Sequence, residues 1–218
     1  MQLQRMTAVT LRKSDSWGEL LSSEPLPRGF YERNTITVAR ELLGKILIRR
    51  IDGITLAGRI VETEAYCGFR DPASHAFKGK TPRNSVMFSR GGLAYVYFIY
   101  GSSYCLNATT EREGKPGAVL IRALEPIRGL RRMMRNRGKD TVRQLTNGPG
   151  KLSQAFSIDL AFNGEDLTKS TRLCILERKE PVRIKASPRI GISKGREQEW
   201  RYLVDGNPFV SKAARRSR

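Results

Sequence analysis

The chain has 218 residues, 40 of them Lys or Arg and 21 Asp or Glu, which leaves a net charge of +19 with its one histidine neutral. That length buries a substantial core without a metal or disulfide staple, and no run approaches the roughly 18 to 20 apolar residues of a membrane span. Cys67, Cys105 and Cys174 form no C-x-x-C pair and His75 stands alone, which argues against a disulfide framework or a zinc site and for a reducing compartment. A cationic excess of this size suits a polyanion, because each neutralised phosphate releases condensed counterions. RNA-associated and membrane-surface proteins share the same balance.

Residues 1–24 show no sustained periodicity and are expected to be a flexible segment. They lack the apolar core of a secretory signal, and only Arg5, Arg12 and Lys13 ahead of Asp15 hint at an organellar presequence. The first helix follows Asn34, with Thr37 as its cap, Val38, Leu42 and Leu43 on its apolar side and Gly44 as its stop. Two β-rich runs, 45–51 and 54–66, meet at Asp52-Gly53, a pair that supplies the positive φ values of a tight hairpin. Residues 68–90 are polar and full of turn formers, a length of connection that is usually functional or disordered. A second β unit spans 94–100 and 103–110 around Gly101-Ser102, and 119–123 is a further strand. Pro126 then opens a helix, with Ile127, Leu130, Met133 and Met134 inward and Arg128, Arg131, Arg132 and Arg135 outward. Asn147-Gly148-Pro149-Gly150 leads into a helix carrying Leu152, Ala155 and Phe156. Short strands are expected at 171–177 and 200–204, and 211–218 is a basic tail. With no repeat and no linker, residues 25–210 read as one mixed α/β (α+β) domain.

Four features could carry chemistry. Glu62 and Glu64 share one face of a strand, with Thr63 on the other. A carboxylate facing a cleft could act as a general base on water, and a solvent-facing polar stripe would look the same in sequence. In Tyr95-Val96-Tyr97-Phe98-Ile99-Tyr100-Gly101, alternation puts Tyr95 and Tyr97 on one face and leaves Tyr100 at the hairpin tip. Such a tip can wedge between base steps, and aromatics on a basic surface stack on bases at roughly 1–3 kcal/mol each; strands also favour aromatics for their own sake. His75 lies in the polar loop near Asp71, placed for stacking or hydrogen bonding or for a structural role. Gly148-Pro149-Gly150-Lys151 fails the full phosphate-loop pattern, since Leu145 and Leu152 occupy required positions. It leaves a helix start that can hold one backbone phosphate or simply begin a helix.

Taken in order, Gly58-Arg-Ile-Val-Glu-Thr-Glu-Ala-Tyr66, Thr81-Pro-Arg-Asn84, Tyr95-Val-Tyr97, Ile99-Tyr-Gly101, Leu120-Ile-Arg-Ala-Leu-Glu-Pro126 and Gly148-Pro-Gly-Lys-Leu152 resemble the alkyladenine DNA glycosylases, also called methylpurine or 3-methyladenine DNA glycosylases of the mammalian type. The resemblance runs from about Leu42 to Val210. It implies a curved, mainly antiparallel sheet flanked by helices, similar to the C-terminal domain of methionyl-tRNA formyltransferase. It also implies a monomeric excision-repair enzyme that flips damaged purines from double-stranded DNA and hydrolyses the N-glycosidic bond, without a metal or other cofactor. By that resemblance Glu64 is the general base, and Arg122 helps hold the nucleophilic water. Tyr66, His75 and Tyr97 stack on the flipped base, Asn107 disfavours guanine's amino group, and Tyr100 is the wedge. Independently of the resemblance, Lys151 at the glycine-rich helix start is the candidate for a DNA backbone phosphate. Glu62 shares the face of Glu64 yet has no role in the family; a bulge, the strand twist or a buried arginine could account for that. Such an enzyme works at the nucleoid in a bacterial cytoplasm, or in a eukaryotic nucleus. The competing expectations are a nuclease holding a cation on Glu62, Glu64 and Asp71, and a non-enzymatic nucleic-acid-binding module.

Overall fold

The Asp52-Gly53 pair turns the chain with φ values of 49° and 70°, which lays β1 (Ile46–Ile51) antiparallel to β2 (Ile54–Tyr66), Ile51 opposite Ile54. This is a computed structural model, and it describes residues 23–99 and 101–211. The remaining strands are β3 (Ala94–Ile99), β4 (Ser103–Thr109), β5 (Ala118–Arg128), β6 (Leu173–Leu176), β7 (Ile184–Ser187) and β8 (Arg201–Val204). Every pairing is antiparallel, in the order β3-β4-β5-β2-β1-β6, with β8 joining β2 and β7 joining β8. β2 organises the sheet. One of its edges pairs with β5 along most of its length, and the other passes from β1 to β8 at Glu62–Glu64. Exchanging partners midway curls the sheet, and the chain is a single α+β domain.

Among the described residues the α-helices are α1 (Arg28–Tyr31), α2 (Thr35–Glu41), α3 (Leu130–Arg137) and α4 (Pro149–Ala155). Asn34, not Thr37, caps α2. Its Oδ1 accepts from the Ile36 and Thr37 amides at 3.0 and 3.3 Å, so Thr37 is already inside the first turn. Val38 and Ala39 of α2 and the following Leu42 are fully buried with Leu47, Leu56, Ile60, Ile121 and Phe156 in the main core. Thr63, on the face of β2 opposite the acids, donates to the Ala39 carbonyl at 2.8 Å.

Pro126 does not open a helix. β5 continues through it to Arg128, and a register shift between Ala57 and Gly58 of β2 accommodates the missing N–H. The helix begins only after Gly129, whose φ is +81° and whose added Cβ would meet Leu56 at 2.4 Å. The strand expected at 171–177 contracts to β6, and β7, a short half-exposed strand, had no sequence signal. Among the described residues no helix is long and apolar enough to cross a membrane.

Candidate active site

One face of β3, β4, β5 and β2 floors a cavity of about 580 Å3. Residues opposite each other in an antiparallel ladder point the same way. Tyr97 lies opposite Cys105, Ile99 opposite Ser103, Asn107 opposite Leu120, and Tyr66 opposite Ala118. All of these, with Arg122, border the cavity. Three pieces of irregular chain wall it: the loop after β2 with Pro72, Ala73 and His75, the start of α4 at Pro149-Gly150, and residues 190–194. α4 can come so close because Gly150 has no side chain; a Cβ there would meet Ser103 at 2.8 Å.

Glu62 and Glu64 are both 0% exposed, so the solvent-facing stripe does not apply. Glu64 sits directly behind Tyr66, Arg122 and Ile190 of the cavity lining. Its Oε2 accepts from the Tyr66 hydroxyl at 2.8 Å and from Arg122 Nη1 at 3.2 Å, and its Oε1 accepts from the Ile190 amide at 2.7 Å. Burial, and after it the Glu64 charge, push the Tyr66 phenol far above its usual value, so it stays a donor to Glu64. Burial alone would lower Arg122; the Glu64 and then the Glu62 carboxylate outweigh it and hold the guanidinium charged. A carboxylate oxygen has two acceptor positions, and Oε1 keeps one beyond the Ile190 bond.

Glu62 lies on the same strand and meets a different set of partners. A register irregularity brackets it, between Ile60 and Thr63. Its oxygens take Arg122 Nε at 3.0 Å, Arg201 Nε at 2.7 Å, and the Ser211 amide and hydroxyl at 2.6 and 2.8 Å. Both a bulge and buried arginines therefore separate its surroundings from those of Glu64.

On the other side, the His75 and Tyr97 rings meet edge to face with centroids 4.7 Å apart. His75 Nδ1 hydrogen-bonds the Tyr95 hydroxyl at 2.8 Å. Desolvation against these neighbours, and then the Arg83 charge, hold His75 below its ordinary value, so the imidazole is neutral near pH 7. Asn107 is buried, its Nδ2 donating to the Tyr95 carbonyl at 2.9 Å. The Thr81-Pro82-Arg83-Asn84 turn earns its place through Asn84, whose Nδ2 donates to the His75 and Gly79 carbonyls at 2.8 and 3.0 Å and whose Oδ1 caps Thr81.

The loop wall is clamped to the 190–194 wall by Asp71 and Arg189. Both side chains are 0% exposed and pair bidentately at 2.5 and 2.8 Å. Asp71 also accepts from the Cys67 and Ala73 amides. Arg189 donates to the Ala65 and Gly195 carbonyls and lies between the Tyr66 and Trp200 rings, 4.8 and 5.1 Å from their centroids. Gly68 starts this loop at φ +59°, where a Cβ would fall 2.1 Å from the Pro116 carbonyl oxygen. Glu62 and Glu64 thus share Arg122, and Asp71 is held by Arg189, so each carboxylate is already met by a guanidinium, an arrangement unlike a shared cation site.

Sequence comparison bears directly on this geometry. The sequence model of the methylpurine-DNA glycosylase (MPG) family matches residues 29–208. The chain belongs to that family. A protein from Chlorobium phaeobacteroides named "Putative 3-methyladenine DNA glycosylase" is 52% identical over 192 residues, which cover 86% of this chain and 97% of the relative. Proteins of the same name from Koribacter versatilis and Desulfitobacterium hafniense are each 46% identical, over 192 and 198 residues, covering 86% and 85% of this chain and 93% and 98% of theirs. The family resemblance read from the motifs is therefore correct, and the chain is a DNA glycosylase of base-excision repair.

Of the glycosylase residues singled out by sequence, the fold brings Glu64, Arg122, Tyr66, His75, Tyr97 and Asn107 to one cavity or its immediate backing. Lys151 stands apart from that group: exposed on the first turn of α4, it donates to Asn147 Oδ1 at 2.9 Å beside the cavity residues Pro149 and Gly150. Tyr100 lies outside the described residues. Sequence reasoning missed Tyr95 as the partner of His75, Asn84 as the loop anchor, the Asp71–Arg189 clamp and the whole 190–194 wall. Strand parity already put Tyr95 beside Tyr97. Nothing in the pattern of 189–195 marks it as a wall.

Proposed function

We propose that this glycosylase flips alkylated and related damaged purines out of duplex DNA and hydrolyses their N-glycosidic bond with a water activated by Glu64. The substrates are 3-methyladenine, 7-methylguanine, ethenoadenine and hypoxanthine. The observation that carries the reading is a fully buried carboxylate, oriented by Tyr66, Arg122 and the Ile190 amide, directly behind the wall of an aromatic cavity large enough for a purine.

Flipping costs a few kcal/mol of stacking and pairing, least for damaged or mispaired bases. Tyr66, Tyr97 and His75 return part of that by stacking, and Tyr100, between β3 and β4, fills the gap in the duplex. Asn107 excludes the exocyclic amino group of normal guanine. The water donates its proton to the free acceptor position of Glu64 Oε1 while its oxygen attacks C1′, and Arg122 holds the water and the carboxylate in register. N3- or N7-alkylated purines are already cationic and depart as neutral bases when the N-glycosidic bond breaks, so one carboxylate and one water suffice for them. The neutral lesions ethenoadenine and hypoxanthine must in addition take a proton as they leave. No cofactor takes part. The +19 charge draws the DNA in, and Lys151 at the start of α4 takes a backbone phosphate. The enzyme acts as a monomer on chromosomal DNA, at the nucleoid of a bacterium or in a eukaryotic nucleus. The curled antiparallel sheet is in keeping with the fold of the C-terminal domain of methionyl-tRNA formyltransferase.

Product analysis tests this reading. Incubation with duplexes carrying ethenoadenine or hypoxanthine, with EDTA present, should release free base and leave an intact strand that breaks only after alkali. Direct strand scission, or scission abolished by EDTA, would overturn it.

A further inference from the structure

The Arg122 guanidinium is shared between two buried carboxylates, and the second of them has no part in the reaction as proposed above. Arg122 Nη1 faces Glu64 while Arg122 Nε faces Glu62. Glu62 in turn is fastened by Arg201 Nε and by the Ser211 amide and hydroxyl, while Arg201 also donates to the Ser187 hydroxyl and the Ser211 carbonyl. β2, β5, β8 and the chain at Ser211 therefore converge on one anion that is wholly out of water.

We propose that Glu62 is a positioning residue: by holding one edge of Arg122 it fixes the edge offered to Glu64, and by sharing that cation it keeps Glu64 an effective proton acceptor. The proposal rests on Glu64 being the base. A guanidinium left to one carboxylate pairs with it bidentately when the geometry allows. Such a pair would leave Glu64 stabilised as an anion, rotated toward Arg122 and slow to take a proton. With Glu62 on Nε and Glu64 on Nη1, Arg122 is stretched between two anions and cannot collapse onto either. Arg201 balances the second negative charge, so two carboxylates and two guanidinium groups form a neutral cluster beneath the cavity.

The direction of the effect follows from the charges around Glu64. Tyr66 from β2, Arg122 from β5, and Arg189 with the Ile190 amide from the 189–195 segment face it, and the Tyr97 and Cys105 groups of β3 and β4 feel its charge. Glu62 itself faces Arg122, Arg201 and Ser211. Glu62→Gln deletes an anion and leaves Arg122 to Glu64 alone, which favours the ionised form of Glu64 in that variant. Arg201→Gln deletes a cation and lets Glu62 draw Arg122 away, which favours the protonated form. A purely structural role for the cluster would move both variants the same way, or neither.

The test is single-turnover release of 7-methylguanine from a duplex at saturating enzyme across pH, because a base that is already cationic needs no leaving-group proton and the acid limb then reports the general base. In Glu62→Gln the rate at neutral pH should fall about three- to tenfold, and the acid limb should move to lower pH by about one unit. The Kd for lesion DNA should stay within about twofold of wild type. In Arg201→Gln the acid limb should move the opposite way, and Glu62→Asp, which keeps the charge, should hold the wild-type limb. If Glu62→Gln does not fold, Arg201→Gln alone decides: a limb that is unchanged or moved to lower pH overturns the proposal. Folded Glu62→Gln with the wild-type rate and profile also overturns it. Glu64→Gln in the same series separates the two ideas, since excision that survives it would remove the base assignment itself, whereas its loss beside an unaltered Glu62→Gln would sink only the role of Glu62.

Discussion

Two buried carboxylates, Asp71 and Glu64, lie behind the walls of the same cavity and are treated very differently. Asp71 holds its cation by direct hydrogen bonds to both of its oxygens. Arg189 grips it with two hydrogen bonds, neither group is exposed, and backbone amides take the remaining lone pairs. Glu64 shares its cation with Glu62, keeps one acceptor position, and lies directly behind the cavity wall. A sealed ion pair in which every acceptor is engaged makes a strong clamp and a poor reagent. A carboxylate with a shared partner and a spare lone pair is poised to accept a proton. The residue type is nearly the same; the allotment of hydrogen-bond donors sets the role.

The clamp should therefore fail as structure. Asp71→Asn or Arg189→Met leaves a buried group without its counter-charge, and urea unfolding should show a loss of about 3–5 kcal/mol. A loss under about 1 kcal/mol would mean that the two walls are held by other contacts. Glu64→Gln makes the opposite prediction for stability, since it keeps the size and two of the hydrogen bonds at that site, and it should alter the unfolding midpoint little.

A smaller effect concerns His75. Its folded value lies below the ordinary imidazole value of about 6.5 because of desolvation first and the Arg83 charge second. The unfolded chain then binds a proton that the folded chain refuses, so stability is complete above about pH 6.5 and declines as the pH falls from there toward the folded value. His75 is an exposed side chain, so the effect should be slight. Denaturation midpoints at pH 7.5 and 5.5 should fall further in wild type than in His75→Gln; equal falls would assign the acid sensitivity to other groups.

Much of this was legible in the chain. Asp52-Gly53 announced its hairpin because few pairs tolerate two positive φ values, and period-two alternation put Glu62, Glu64 and Tyr66 on one face and Tyr95 with Tyr97 on another. Glu62 stood out as the odd member of its stripe only because the resembled family gives it no role, with a bulge, the strand twist or a buried arginine as candidate reasons; a register irregularity and buried arginines are present. What failed was local rule against tertiary context. Pro126 looks like a helix start, yet pairing with β2 holds it in a strand, and Thr37 looks like a cap although Asn34 reaches the orphan amides first. What was invisible depended on long-range contact. Arg189 meets Asp71 across 118 positions and Ser211 meets Glu62 across 149. No periodicity encodes such a meeting, and the 190–194 wall is a wall only because that clamp places it.

The most direct test of the central claim compares lesion binding with excision in Glu64→Gln. Binding to duplex carrying ethenoadenine, at fixed salt, should match wild type within a few-fold, while single-turnover excision should fall by about 10²–10⁴-fold, the range expected for loss of a general base. Excision within about threefold of wild type in a properly folded Glu64→Gln protein would contradict the account.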